Sequence, residues 1–288
     1  MPSTTERLNL SINTTSGELQ AQVDVPTGFI PITEIVPIIR SLGEQAQDLE
    51  LANTVREGKS ISCQKGCAAC CRIMIPVSPP EAFALTEVVK GLPKEHRAQI
   101  AYNLAETRKR LDEAGLLSIL WDLAENPRQL SDEDLEPINR AYYALRLPCI
   151  FLENEMCSIY EHRPAGCRGH LVTSPPEWCQ DTEKNPVQEL HIPLRAGTVL
   201  SLLWADLMGG PVRLVPLPVA LEWAENHQDF NTQTWNGSEL FHRAMNGLGK
   251  FLHQTFAAVS QNNPAPGKDP SASEERDGSA GLPIEKNA

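Results

Sequence analysis

The sequence has no long apolar run, no surplus of basic residues and no recognisable nucleophile or phosphate-binding signature, and each shortage closes off a class of function. Its most apolar stretches, Ile30 to Ile39 and Val199 to Met208, fall well short of the about 20 residues that span a bilayer, and Glu34 and Asp206 interrupt them. The opening Met1-Pro2-Ser3-Thr4-Thr5-Glu6-Arg7 lacks the basic start and apolar core of an export signal, so a cytoplasmic protein is expected. Lysine and arginine number 25 against 37 aspartates and glutamates, a formal net charge of −12. With no basic block, the chain lacks the electrostatic footprint that grips a phosphate backbone or an anionic membrane. Neither nucleic acid nor membrane is expected as a partner. No Ser/His/Asp arrangement and no metal-ligating pair of carboxylates stands out. Gly247-Leu248-Gly249-Lys250 lacks the spacing and the Ser/Thr of a phosphate loop and reads as helix surface.

What is present is an ordinary folded composition, 41% hydrophobic and 22% charged over 288 residues, enough for one sizeable core. The eight cysteines are too sparse for a small disulfide scaffold, yet they are far from evenly spread. Cys63, Cys67, Cys70 and Cys71 fall within nine residues. A stretch of 77 residues without cysteine follows, and then Cys149, Cys157, Cys167 and Cys179 fall within 31. Four plus four is the arithmetic of metal ligation. A reducing compartment opposes stable bridges, and Cys70-Cys71 could bond only as a strained vicinal disulfide. Inert core thiols would explain a lone Cys149. They would not explain four cysteines packed around Gly66, Ala68 and Ala69.

Thiolates are soft ligands that select zinc, copper(I) or iron–sulfur cores. The small residues of Cys63-Gln-Lys-Gly-Cys67-Ala-Ala-Cys70-Cys71-Arg72 let the backbone wrap closely around a metal. Were this segment helical, Cys63, Cys67 and Cys70 would share one face, with Cys71 about 100° from Cys70. In the second group, Cys149-Ile-Phe-Leu, Glu-Asn-Glu and Met-Cys157-Ser-Ile-Tyr160 predict a tight hairpin that brings Cys149 near Cys157. Arg163-Pro164-Ala-Gly-Cys167 predicts a proline-started helical turn delivering Cys167. The intervals of seven, nine and eleven residues are too irregular for the paired knuckles of a zinc finger. Four thiolates around Zn²⁺ or a [4Fe–4S]²⁺ core leave a negative site, and Arg163 and Arg168 are placed to offset that charge from just outside it. His162 and His170 read as surface residues. Trp178, beside Cys179, reads equally as a shield against water or as plain core packing.

Cys63-x3-Cys67-x2-Cys70-Cys71, with Pro148-Cys149, Cys157-Ser-Ile-Tyr160, Arg163-Pro164 and Cys167-Arg168, resembles the CxxxCxxCC cysteine-cluster family, the YkgJ group of zinc- or iron-chelating domains. The resemblance runs over about residues 60 to 180 and implies that Cys63, Cys67, Cys70, Cys71, Cys149, Cys157, Cys167 and Cys179 are all metal ligands. Flagellin lysine N-methylase is more distantly similar in the same motif, but no separate methyl-donor site is visible in this chain. Cys63-x3-Cys67-x2-Cys70 is also the spacing of radical S-adenosylmethionine enzymes. Against that reading, Ala69 stands where an aromatic is common, no run of βα repeats follows, and Cys71 is extra. The function expected is an iron–sulfur protein with a redox or protein-modification role, with a structural-zinc interaction module as the alternative and a protein partner left unidentified.

The fold expected is mainly α with short β-hairpins, an irregular cysteine-rich metal-binding core surrounded by helices. Residues 1–58 read as a β-hairpin over 8–25 and a helix over 33–57, and residues 59–185 as the cysteine-cluster domain. Residues 186–261 read as C-terminal helices over 186–208, 217–228 and 238–260, and 262–288 as a disordered tail. Within the middle segment, Ser78-Pro79-Pro80-Glu81 marks a helix start. Pro93 opens a helix with Ile100, Leu104, Thr107 and Leu111 recurring along it, and Ser131 to Asp134 cap another, with Pro137 tolerable only if that helix begins near Asp134.

Overall fold

Alternation by two makes the first element. In the computed structural model, which describes residues 4–262 and 284–286, β1 (Thr5–Thr14) and β2 (Gly17–Pro26) form an antiparallel hairpin with Thr14 opposite Gly17. Leu8, Leu10 and Ile12 on β1 and Leu19, Ala21, Val23 and Val25 on β2 are buried on one face, while the residues between them meet solvent. A short β3 (Phe29–Pro31) leads into α1 (Ile35–Arg56), whose Ile35, Val36, Ile39, Leu42 and Ala46 pack against that hairpin face.

After the first cysteine segment come β4 (Pro76–Val77) and α2 (Pro79–Gly91). α2 starts at a capping box in which Ser78 and Glu81 satisfy each other's backbone amides, with prolines in the first turn, as the sequence predicts. α3 (Lys94–Glu113) buries Ile100, Thr107 and Leu111. α4 (Leu117–Glu125) was not legible as a separate helix, because only Gly115 and one turn divide it from α3. α5 (Asp132–Ala144) has its own Ser131/Asp134 capping box. It begins two residues before Asp134, so Pro137 lies inside the helix at an exposed position.

The second cysteine segment contributes β5 (Leu152–Glu153), β6 (Met156–Cys157) and α6 (Ala165–Gly169). Then come α7 (Ala196–Met208), β7 (Val215–Pro216), α8 (Leu217–Asn226), α9 (Gln228–Asn231), β8 (Thr234–Asn236) and α10 (Gly237–Asn262). The helix expected over 186–208 starts only at Ala196. Residues 186–195, with Pro186 and Pro193, run as an extended segment whose Glu189 bridges Val172.

Among the described residues, β3 with β8, β4 with β7, and β1 with β9 (Ile284–Lys286) join distant segments, while β1–β2 and β5–β6 are local hairpins. Apart from residues 262 and 284–286, the tail expected over 262–288 lies outside the described residues. The fold is mainly α with short antiparallel strands. One apolar core runs from Leu8 to Leu252, centred on α1, α2, α7, α8 and α10, with Phe83, Trp204 and Trp223 at its middle. At the start of α10 a side chain on Gly237 would overlap the Pro26 carbonyl, so only glycine lets this helix seat on the hairpin.

Candidate metal centre

The cysteines lie to one side of this core, on chain with little regular structure. The segment 63–73 is not helical, so the one-face spacing of Cys63, Cys67 and Cys70 does not apply. It is a series of tight turns: the Cys67 amide donates to Gln64 O at 3.1 Å, Cys71 to Ala68 O at 3.0 Å and Ile73 to Cys70 O at 3.2 Å. Gly66 takes φ +94°, a conformation that L side chains rarely adopt, and it turns the chain between the first two cysteines. The Cys70 and Cys71 thiols are close enough for Cys71 to raise the Cys70 pKa.

The hairpin forms as the sequence predicts. Leu152 pairs with Cys157 and Glu153 with Met156, and Asn154 and Glu155 both sit at positive φ, 49° and 59°. Two successive left-handed residues make the type I′ turn that matches strand twist, with Asn the favoured first residue. The hairpin is tied to the first segment by the Cys149 amide, which donates to the Cys71 carbonyl at 2.8 Å. α6 then starts on Pro164, whose carbonyl receives the amides of Cys167 and Arg168 at 3.0 and 3.1 Å. Cys179 is buried on a short 3₁₀ turn, Pro176–Gln180.

These four pieces bring the two sequence groups together. Cys67, Cys70, Cys71, Cys149, Cys157 and Cys167 line one cavity of about 70 Å³, walled otherwise by Tyr142, Phe151 and Ile159. Cys157 and Cys70 raise the Cys149 pKa electrostatically, and Cys149, Cys70 and Cys157 together raise that of Cys167. Cys63, Cys67 and Cys179 form a second neighbourhood, again with Cys70. The spatial grouping therefore cuts across the sequence grouping. Cys179 belongs beside Cys63 and Cys67, and the Cys70–Cys71 pair stands between the two sets. All eight cysteines are free thiols. Among the described residues, no group of three or more His, Cys, Asp or Glu side chains is arranged to hold a single metal ion. The thiols are gathered without being closed into a coordination shell.

The electrostatics suit a cation at this place. Burial pushes the Cys149 thiol up to about 12 and the Cys179 thiol up to about 11. Burial also raises Cys63 and Cys157, and takes Cys167 well above the ordinary thiol range. Cys70 is raised first by the adjacent Cys71 thiol and then by burial. A buried thiolate needs positive charge beside it. Part of it comes from Arg163, which favours the thiolate forms of Cys63, Cys70, Cys157 and Cys167. The Arg163 guanidinium lies 3.7 Å from the centre of the Tyr160 ring and donates to Tyr160 O at 3.0 Å, which holds it at the cavity wall. Backbone amides supply more. Val172 N–H donates to the Cys63 sulfur at 3.3 Å, and the Phe151 and Ile159 amides favour the thiolates of Cys149 and Cys157. Soft donors, amides aimed at sulfur and a neighbouring cation fit a thiolate-bound metal.

Arg168 is placed differently from Arg163. Its guanidinium donates to Glu44 on α1 at 2.6 Å and to the carbonyls of Arg163 (3.0 Å) and Glu161, so it ties α6 to α1 rather than facing the sulfurs. His162 is exposed as expected. His170 is not: its side chain is 14% exposed, lies 3.5 Å from Glu189 and borders the thiol cavity. Histidine composition gave no hint of that, since the contact depends on the extended segment around Glu189.

No curated protein and no solved structure matches the chain. Residues 62–187 match the CxxCxxCC family model, described as a "putative zinc- or iron-chelating domain", and the match takes in all eight cysteines while leaving the hairpin, α1, α7, α8 and α10 outside. Over its cysteine-bearing segment, residues 62–187, this chain is similar to the CxxCxxCC family.

Proposed function

We propose that the eight cysteines hold an iron–sulfur centre, one core or two, in which the Cys70–Cys71 pair serves both spatial sets. The observation that carries this reading is the shared cavity, with six thiols from both sequence groups around one space and the adjacent cysteines between the sets. A polynuclear core takes ligands from several directions and tolerates adjacent cysteines. Independent tetrahedral zinc sites more often use separate paired knuckles. Arg163 and the amides on sulfur would stabilise the charge of such a core, and a redox role follows from that chemistry. Structural zinc is the second reading. It is favoured by the three-plus-three division of the outer cysteines, since each set needs only one more thiolate, from Cys70 or Cys71, to complete four ligands.

The deciding experiment is anaerobic purification of the full chain, with its visible spectrum and the iron, zinc and acid-labile sulfide per chain. Brown protein with matched iron and sulfide supports the iron–sulfur reading. A colourless protein with two zinc ions per chain overturns it in favour of zinc.

A further inference from the structure

Of the seven histidines, His170 is the one whose side chain lines the thiol cavity. It directly follows α6, in a stretch of chain held from both sides. On one side, Ser62 N–H donates to Val172 O at 3.0 Å and Val172 N–H to the Cys63 sulfur at 3.3 Å, and that sulfur lies 4.0 Å from His170 O. On the other side, Leu190 N–H donates to Leu171 O at 2.7 Å and Thr173 N–H to Gln188 O at 3.0 Å. This short ladder sets Glu189 opposite Val172, with its carboxylate 3.5 Å from His170 Nδ1. The half-buried imidazole therefore has a carboxylate at one nitrogen and borders the cavity formed by the thiols. Among the described residues its ring has no further ionic or hydrogen-bonding partner.

We infer that His170 gives the metal centre a nitrogen ligand, with Glu189 positioning the ring. A carboxylate beside Nδ1 keeps the proton on that nitrogen and leaves the Nε2 lone pair free to donate. Metal-binding histidines are generally arranged in this way, one nitrogen on the metal and the other facing a carboxylate, a carbonyl or water. The ligand would stand on the Cys63 and Cys67 side, because the chain at 170–172 lies against Cys63 and the ring shares a cavity wall with Cys67. Spacing along the sequence hides this role, since Glu189 comes 19 residues after His170 and reaches it only through the ladder between 171–173 and 188–190. Imidazole suits both zinc and iron. The inference therefore rests on the metal reading but not on the choice between an iron–sulfur centre and zinc.

The test is detection of nitrogen at the metal in the full, metal-loaded chain. For an iron–sulfur centre, pulsed EPR of the dithionite-reduced protein, prepared with 15N-histidine, should show a strongly coupled nitrogen. For zinc, X-ray absorption at the zinc edge should show the ring scattering of an imidazole. His170→Ala should abolish either signal. Glu189→Gln keeps the side chain's shape at a position that is 55% exposed, so the fold should be unaffected. The nitrogen signal should persist in that variant, while metal retention against a competing chelator falls by about tenfold or more. A wild-type centre with sulfur ligands alone overturns the inference, whether or not the variants fold, and so does a nitrogen signal that survives in His170→Ala. Retention equal to wild type in Glu189→Gln overturns the role given to Glu189. Iron, zinc and sulfide content decides the nature of the centre separately, so zinc in place of iron–sulfur would sink that reading and leave this one standing. A chain that holds no metal overturns both.

Discussion

Glu81 Oε1 accepts the amide hydrogen of Ala165 at 2.7 Å, joining the first turn of α2 to the first turn of the helix that carries Cys167. The carboxylate is 1% exposed, and it also takes the Ser78 hydroxyl at 2.9 Å and the Arg40 guanidinium at 3.3 Å. One buried charge thus fixes α1, α2 and α6 relative to one another. Glu81→Gln keeps the shape and removes the charge, leaving Arg40 buried without a counter-ion. We expect a stability loss of about 3 kcal/mol, the scale for breaking a buried ion pair, together with reduced metal retention. Denaturant unfolding and metal analysis of the purified variant check both. Stability within experimental error of wild type would show that Glu81 is not the anchor.

Substituting the cysteines one at a time tests the spatial grouping. Cys70→Ser should lower metal content more than any other single change, because Cys70 neighbours both sets. Cys63→Ser and Cys179→Ser, 116 residues apart in sequence, should give matching losses. Cys149→Ser, Cys157→Ser and Cys167→Ser should form a second matching class. Cys179→Ser behaving like Cys149→Ser instead would overturn the grouping. Metal and sulfide per chain, measured across the series, decide it.

Metal removal should loosen the cysteine segments while leaving the helical core folded. The core is built from α1, α2, α7, α8 and α10 and needs no metal to bury its apolar surface. Residues 59–75 and 148–181 have little regular structure, so the binding free energy is largely what orders them. After chelation, hydrogen exchange should accelerate in those two segments and stay slow in α7 and α8. Uniform acceleration across the chain would contradict this division.

Arg163 tests the charge balance. Arg163→Gln removes the cation that favours four of the eight thiolates, and leaves the Tyr160 ring with Lys65 alone over it, at 5.0 Å. In an iron–sulfur protein the midpoint potential should fall, since losing a nearby positive charge disfavours the added electron, and Arg163→Lys should recover part of the shift. Redox titration of the three proteins gives the answer. An unchanged potential in Arg163→Gln would place the guanidinium outside the centre's field.

The hairpin turn sets two effects of opposite sign against each other. Glu155 at φ +59° carries left-handed strain of roughly 1–2 kcal/mol. Its exposed ion pair with Arg72 at 2.6 Å returns at most about 1 kcal/mol. Glu155→Gly should therefore be neutral to slightly stabilising in thermal melts. A clear loss of stability would mean that the Arg72 pair outweighs the turn.

Local chemistry was legible in the sequence wherever short-range rules act. Period-two alternation wrote the hairpin β1–β2, Ser78-Pro-Pro-Glu81 and Ser131 to Asp134 wrote two helix starts, and the polar pair between Leu152 and Cys157 wrote the turn that brings Cys149 to Cys157. Thiol chemistry and clustering pointed to metal, and the family match agrees. The tertiary structure decided what depends on contacts across long intervals of chain. It moved the start of α7 to Ala196, because residues 186–195 with their two prolines pair with 171–173 instead of helix neighbours. It also set Cys179 beside Cys63, turned Arg168 to Glu44 and Arg163 to the sulfurs, and half-buried His170 beside Glu189. Spacing along the chain reports which side chains share a turn or a strand face. Which buried charge meets which partner is settled only when the helices pack.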